Sequence, residues 1–238
     1  MVILQRVVTV GLLMVFWNLV LKNTAGNSPH LTGLLSYFLI ADGIGELTMA
    51  TRTKFGTLLR RSIKTGQISN YLMKPLSILP AMYAHVWGER SIYNAPAIAS
   101  IILGLVINPP NHWTRLSLFF VFLVLSMATA FAFNLIEGIL TFWVTSPSGI
   151  MNCIVHTTRL LSGAIAPLTF FPNKLRNIVE LTPFPAMVFA PINSLGILDS
   201  PISIAKSFLI AVFWASALNI VLLRLWRKGL RKYEAIGL

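Results

Sequence analysis

The 238-residue sequence predicts an all-α integral membrane protein with six transmembrane helices. Apolar residues make up 55% of the chain, and the mean hydropathy is +0.75. Charged residues make up only 11%, whereas a soluble domain has about 25%. So few charges cannot cover a water-soluble protein of this size, and the high apolar content excludes a disordered chain.

Apolar runs near the length that crosses a bilayer, about 20 helical residues, recur six times along the chain. The predicted spans cover residues 1–21, 31–50, 76–107, 116–143, 150–170 and 202–225. They form a single transmembrane domain over 1–238. The first run loosely resembles a signal peptide, which would leave five spans. Trp17 and Asn18 inside the run, and the lack of a clear small-residue cleavage site, favour a helix that stays in the membrane.

The net charge of +12 is concentrated in two stretches, one after the second span and one after the sixth. Their basic residues are Arg52, Lys54, Arg60, Arg61, Lys64 and Lys74, then Arg224, Arg227, Lys228, Arg231 and Lys232. Because four spans separate the two stretches, both lie on one side of the membrane. The positive-inside rule predicts that this side, with both termini and the tail 226–238, is cytoplasmic. The excess charge therefore indicates topology rather than nucleic-acid binding.

The first basic stretch, 54–74, has the pattern of an amphipathic helix. Apolar residues recur at helical spacing from Phe55 to Ile63 with basic residues between them, and Gly66 offers a helix stop. From the residues alone, a helix on anionic lipid headgroups is favoured over a docking element for a cytosolic protein.

Five prolines between Pro167 and Pro191 interrupt the chain after the fifth span. Proline lacks the N–H that a helix needs, so this part cannot cross lipid alone. An external or partly re-entrant segment at 171–199 is predicted. Its candidate residues are Pro172, Asn173, Arg176 and Pro183.

Ionisable residues within the predicted spans are functional candidates because burying a charge in a membrane is costly. These residues are Asp42, Glu46, Glu89, Arg90, Glu137 and Arg159. Asp42 and Glu46 are four residues apart and share one helix face. Pairing between helices, for example of Glu137 with Arg159, is favoured over substrate or proton handling.

The chain has no nucleotide-binding P-loop and no zinc-protease motif, and its four histidines lack metal-ligand spacing. No catalytic residue, cofactor site or metal site is predicted. An intramembrane enzyme for a lipid-linked substrate is one alternative, with Asp42, Glu46 and Glu137 as acid–base groups. A channel or scaffold is another.

Four blocks occur in the order found in ABC-2-type transporter permeases, and the chain resembles the six-helix subgroup of that family. They are IKTGQISNYLMKPL at 63–76, TFW at 141–143, PLTFFPN at 167–173 with TPF at 182–184, and LWRKGLRKYEAIG at 225–237. Members of the family also carry an elbow helix before the first span, a pattern from which this sequence departs.

The resemblance implies the membrane subunit of an ATP-driven exporter in the plasma membrane of a bacterium. It implies a separate cytosolic ATPase that binds ATP and Mg²⁺, and a second permease subunit, alike or different. The segment 54–74 would then hold a coupling helix that contacts the ATPase, which reverses the preference for lipid. The residues expected to take part are Arg60, Arg61, Ile63, Lys64, Gly66, Gln67, Lys74 and Pro75.

Overall fold

The computed structural model describes residues 2–24, 31–67, 77–140, 148–198 and 200–232, and within them the fold is helical with no strand. The helices are α1 Val2–Thr24, α2 Leu31–Gly45, α3 Thr51–Lys64, α4 Ile78–Glu89, α5 Ser91–Ile107, α6 Trp113–Ile139, α7 Ser148–Leu161, α8 Asn173–Glu180, α9 Phe184–Met187, α10 Phe189–Leu195 and α11 Ile204–Lys232. A π-helical turn, Glu46–Ala50, joins α2 to α3, and a 3₁₀ turn covers Leu168–Phe170.

Three of the described helices, α1, α6 and α11, are long and apolar enough to cross a membrane. The pair α4 and α5 makes a fourth crossing if it counts as one span, but its two helices meet at 78°. The predicted third span, 76–107, is therefore two helices with Arg90 between them. At 17 residues and 1.5 Å per residue, α5 alone is about 25 Å long.

Helices α2 and α5 pack antiparallel at close range because glycines lie at their contacts. An added Cβ at Gly43 would lie 2.5 Å from the carbonyl oxygen of Ala97, and one at Gly104 would lie 2.6 Å from Ile40. The Ser36 hydroxyl donates a hydrogen bond to the Gly104 carbonyl at 2.7 Å. Small residues that let two backbones approach are typical of helix pairs in membranes.

The predicted amphipathic helix is present as α3, and its apolar side faces the protein. Leu59 and Ile63 are buried in a cluster with Met82 of α4, Leu135 of α6 and Leu222 of α11. Gly66 follows α3 with φ 74°, the left-handed conformation that glycine adopts readily and that ends helices. Leu59 and Ile63 therefore face the bundle and not lipid.

This apolar cluster also fixes which elements share one end of the bundle. Helix α11 runs parallel to α6, with Phe208 against Phe122 near the start of both and Asn219 bonded to the Ala128 carbonyl further along. Leu222 of α11 then meets the end of α6 and α3. The basic residues described in α3 and in the last turns of α11 therefore lie at the same end.

The predicted fifth span, 150–170, is not one continuous helix. Helix α7 ends at Leu161, and Gly163 has φ 89°, which a residue with a Cβ rarely adopts. An added Cβ there would also lie 2.9 Å from the Tyr37 hydroxyl, and that hydroxyl donates to the Gly163 carbonyl at 2.7 Å. A composition count misses this break because the residues on both sides of it are apolar.

The chain after this break folds back into the bundle. Every residue of α10 is buried, and α9 and α10 pack between α6 and α11. The Phe189 N–H donates to the Ser162 carbonyl at 3.0 Å, and the Trp17 indole N–H donates to the Ile165 carbonyl at 2.9 Å. The second half of the predicted segment 171–199 thus belongs to the protein core.

Candidate functional site

Four of the six predicted intramembrane ionisable residues line one cavity of about 370 Å³. They are Asp42, Glu46, Arg90 and Arg159, and they come from α2, from the π-helical turn, from the α4–α5 break and from α7. Arg6 of α1 completes the group. We call these five residues the charge cluster.

Ion pairs connect the charge cluster across three elements. The Arg6 guanidinium donates to the Asp42 carboxylate, and its second amino group lies 3.1 Å from the Glu46 carboxylate. Arg90 donates to the other oxygen of Glu46, so this one carboxylate joins α1 to the α4–α5 break. The Arg90 guanidinium also lies over the Tyr93 ring, 4.9 Å from its centroid, an arrangement that favours a cation.

Local structure explains why these groups meet. Asp42 and Glu46 lie one helical turn apart at the end of α2. Glu46 begins the π-helical turn, a wider turn that recurs at functional sites. The Asn134 side-chain amide of α6 donates to the Thr48 carbonyl within this turn at 3.1 Å, which anchors the turn to the bundle. The bend after α4 places Arg90 beside Glu46.

The cluster carries more positive than negative charge. Three guanidinium groups line the cavity against two carboxylates. Arg6 and Arg90 pair with those carboxylates, whereas Arg159 acts on Asp42 electrostatically without an ion pair to any described residue. Arg159 is exposed, as are Gln5 and Tyr93 on the same lining, so the cavity opens to the surface there.

The other two predicted intramembrane residues lie outside this lining. Glu89 is 59% exposed at its side chain and pairs with His85 one turn earlier, at 3.3 Å. Glu137 is buried in α6, next to Gly138, where α3 packs. Arg159, which the sequence offered as an example of a partner for Glu137, lines the cavity, and the pairing of the two stays a prediction.

The candidate residues of the proline-rich part surround a second ionic group. Pro172 and Asn173 begin α8, where the Arg176 guanidinium donates to the Asn173 side-chain oxygen at 2.8 Å. Glu180 is buried, with the Lys206 ammonium of α11 at 2.6 Å and Arg176 at 3.8 Å. Pro183 immediately precedes α9. These contacts connect α8 to the start of α11.

The predicted coupling residues divide between the two sides of α3. Ile63 is buried in the apolar cluster, and Arg60 is half-buried with its guanidinium on the Thr57 hydroxyl at 3.2 Å. Arg61 and Gln67 are exposed. Lys64 ends α3, and Gly66 follows in the left-handed conformation. The remaining two, Lys74 and Pro75, lie outside the described residues, as does the block 141–143.

Reasoning from the sequence missed Arg6 and Tyr93 as members of the site. Arg6 was not among the predicted intramembrane charges, although it lies within the predicted span 1–21 and within α1, which begins at Val2. A signal was present, because an arginine inside an apolar helix calls for a carboxylate on a neighbouring helix. Nothing in the sequence around Tyr93 indicated that this residue belongs to the site.

Long apolar helices around a charged cavity, with a basic helix at one end, are typical of a membrane protein. The chain belongs to the ABC-2 transporter family, since the model described as "ABC-2 family transporter protein" matches residues 6–237. No curated protein matches the chain. Membership makes it a permease component of an ABC transporter, and such permeases generally work with an ATPase subunit. The family resemblance drawn from the four sequence blocks is confirmed.

Proposed function

We propose that this chain is the membrane-spanning permease of an ATP-driven exporter, working by alternating access with a separate ATPase that binds ATP and Mg²⁺. Two permease subunits, alike or different, would form the transport route in the plasma membrane of a bacterium. The observation that carries this proposal is the arrangement of helix α3. Its apolar face is fixed to the bundle by Leu59 and Ile63, while Arg61 on another face is exposed.

Six crossings fit the helix directions. Helix α2 with its π-helical turn provides 20 residues, enough for one span. The crossings are then α1, α2, α5, α6, α7 with the chain that follows it, and α11, while α4 lies across the end of α5. The antiparallel α2–α5 pair and the parallel α6–α11 pair agree with this order.

Both termini and both basic stretches are proposed to be cytoplasmic. The Arg6 contact with Glu46 brings the start of α1 to the end of α2 that leads into α3, and Leu222 brings the last third of α11 to α3. The basic residues of α3 and α11 thus share one end, which the positive-inside rule assigns to the cytoplasm.

The proposed coupling runs from α3 to the charge cluster. A force from ATPase closure on Arg61 moves α3, which is packed too tightly to bend alone. Leu59 against Gly138 passes this movement to α6, and the π-helical turn passes it to Glu46. Because Glu46 joins Arg6 to Arg90, a shift of α3 changes how α1, α2 and α5 meet.

Co-purification tests this function. The tagged permease should retain an ATPase with a Walker motif, and Arg61→Glu should lower the recovered ATPase about tenfold, because a charge reversal at an exposed contact weakens binding. Lys174→Glu, on exposed α8, should leave recovery unchanged. If no ATPase is retained, or if Arg61→Glu retains it fully, α3 is not the coupling helix.

The geometry does not favour the alternative of an intramembrane enzyme. Asp42 and Glu46 are both engaged by guanidinium groups, and Glu137 lies outside the cavity. A general acid or base must reach the proton that it transfers. Turnover of a lipid-linked substrate by the purified chain without an ATPase would support the enzyme instead.

A further inference from the structure

The charge cluster has a surplus of positive charge that no described residue neutralises. Asp42 and Glu46 are the acidic residues on the cavity lining, and Arg6 and Arg90 already pair with them. Arg159 adds a third guanidinium to the same lining. An uncompensated charge within an apolar helical bundle is costly, so residues of this kind mark sites for a ligand or a partner charge.

The cluster also has a surplus of hydrogen-bond donors. The Nε–H groups of Arg6 and Arg90 are buried and have no hydrogen-bond partner among the described residues. A guanidinium offers five N–H donors, and two carboxylates cannot satisfy three such groups. Buried donors without partners are unfavourable. An additional oxyanion in the cavity would supply the missing acceptors.

The rest of the cavity lining is mostly apolar, and the cavity is large enough for more than a small ion. Val10, Leu13 and Phe38 contribute to its lining beside the charged residues. Its volume of about 370 Å³ lies within the range of small-molecule sites. The mouth beside Arg159 gives access from the surface. A cationic group next to an apolar wall matches a molecule with an anionic head and an apolar body.

We propose that this cavity binds the oxyanion of a negatively charged amphiphile, a carboxylate or phosphate on an apolar body, with Arg159 as its principal contact. Because such amphiphiles would be the substrate class of the transporter, this inference rests on the proposed function. The oxyanion would neutralise the guanidinium of Arg159 and accept hydrogen bonds from the Nε–H groups of Arg6 and Arg90. The apolar body of the amphiphile would lie along Val10 and Leu13.

Equilibrium binding to the purified permease–ATPase complex in a neutral detergent tests this. Dodecyl phosphate and dodecanoate should bind, whereas dodecanol and inorganic phosphate should bind at least tenfold more weakly. Arg159→Gln should weaken dodecyl phosphate binding about tenfold, the loss expected for one charged hydrogen-bond partner. Arg159→Lys should restore part of it. Arg227→Gln, an exposed arginine of α11 off the lining, should change nothing.

A second binding experiment distinguishes the two possible sources of the anion, a bilayer lipid and a free amphiphile. If phosphatidylglycerol remains bound to complexes taken from nanodiscs of that lipid, and Arg159→Gln releases it, the ligand is a bilayer lipid. If no phosphatidylglycerol remains bound while dodecyl phosphate still binds through Arg159, the ligand is a free amphiphile. Either result supports the anionic site.

Three results would overturn the inference. One is equal binding of dodecanol and dodecyl phosphate, and another is unchanged affinity in Arg159→Gln. The third is separation of two permease subunits by Arg159→Gln, which would make Arg159 a subunit contact. Retention of the ATPase in the same samples shows separately whether the proposed function holds. A thermal midpoint of Arg159→Gln close to the parent's shows that the variant is folded.

Discussion

Glu46 is the residue on which the charge cluster depends. Its two carboxylate oxygens face Arg6 and Arg90, which come from helices far apart in sequence. Removing a carboxylate from a partly buried pair leaves guanidinium charge without compensation, and this costs more than the pair itself contributes. The two ion pairs of Glu46 therefore stabilise the contact of α1, α2 and the α4–α5 break.

Glu46→Gln should lower the free energy of unfolding by about 2 kcal/mol, less than for a fully buried pair because Glu46 keeps some solvent access. Thermal unfolding of the purified protein in detergent measures this. Glu89→Gln is the matched control, since its pair with His85 is exposed and should contribute almost nothing. Equal effects of the two substitutions would contradict the assigned role of Glu46.

Gly43→Ala should destabilise the α2–α5 contact by about 1 to 3 kcal/mol. Its Cβ would meet the Ala97 backbone carbonyl, which cannot move without shifting α5. Gly45→Ala lies two residues further along, with no atom within 4 Å of its Cβ, and should leave stability unchanged or raise it. An equal loss of stability in both variants would contradict close packing as the cause, because alanine favours the helix at both positions.

At the residue scale, the sequence could identify most of the cluster but not its arrangement. Asp42, Glu46, Arg90 and Arg159 are recognisable because each is a charge within an apolar run. Which of them meet depends on the bend after α4 and on the π-helical turn, and neither has a local sequence signal. Two of the six candidates consequently lie elsewhere.

At the scale of single elements, α3 combines two roles on two faces. Its apolar side packs on α4, α6 and α11, and its polar side leaves Arg61 exposed. The spacing of apolar residues predicted this helix and Gly66 predicted its end. The spacing could not tell whether the apolar side meets lipid or protein, because both environments select the same residues.

Leu59→Ala should cost about 2 to 4 kcal/mol of stability, since Leu59 is fully buried and its loss leaves a cavity against Gly138. Arg61→Ala should change stability by less than about 0.5 kcal/mol, as expected for an exposed side chain. Thermal midpoints and ATPase recovery should be measured on both variants. Arg61→Ala should lower the recovery of the ATPase without lowering the stability of the permease. Normal ATPase recovery by a normally stable Arg61→Ala variant would contradict the role of Arg61.

The break after α7 shows where reading of elements from sequence fails. Composition predicts one apolar span over 150–170, because Leu160 to Ile165 contains no charge. The positive φ of Gly163 and its hydrogen bond to Tyr37 end the helix, and Tyr37 is distant in sequence.

At the scale of the whole molecule, the packing brings the basic residues of α3 and α11 to one end, as the charge distribution in the sequence predicts. The family match covers nearly the whole chain, so the helices belong to one permease unit. Helix α6, with 27 residues, is about 40 Å long and separates the turn before Trp113 from the α3 contact at Gly138. The positions of the two basic stretches in the sequence predicted that they share one end of the molecule.

Cysteine labelling tests the proposed topology. In a Cys153→Ser background, Asn111→Cys lies before α6 and should react with an impermeant maleimide on intact cells. Gln67→Cys lies after α3 and should react only once the cells are opened. Both positions are exposed, so access to solvent is matched. Labelling of Gln67→Cys on intact cells would contradict the cytoplasmic assignment.

The most direct measurement of the central claim is a cross-link between α3 and the ATPase. A short bismaleimide should join Gln67→Cys to a cysteine placed in the ATPase cleft, and Arg61→Glu should reduce the yield. Asn111→Cys, at the other end of α6, should give no product. A product at Asn111, or none at Gln67 while the ATPase remains bound, would contradict coupling through α3.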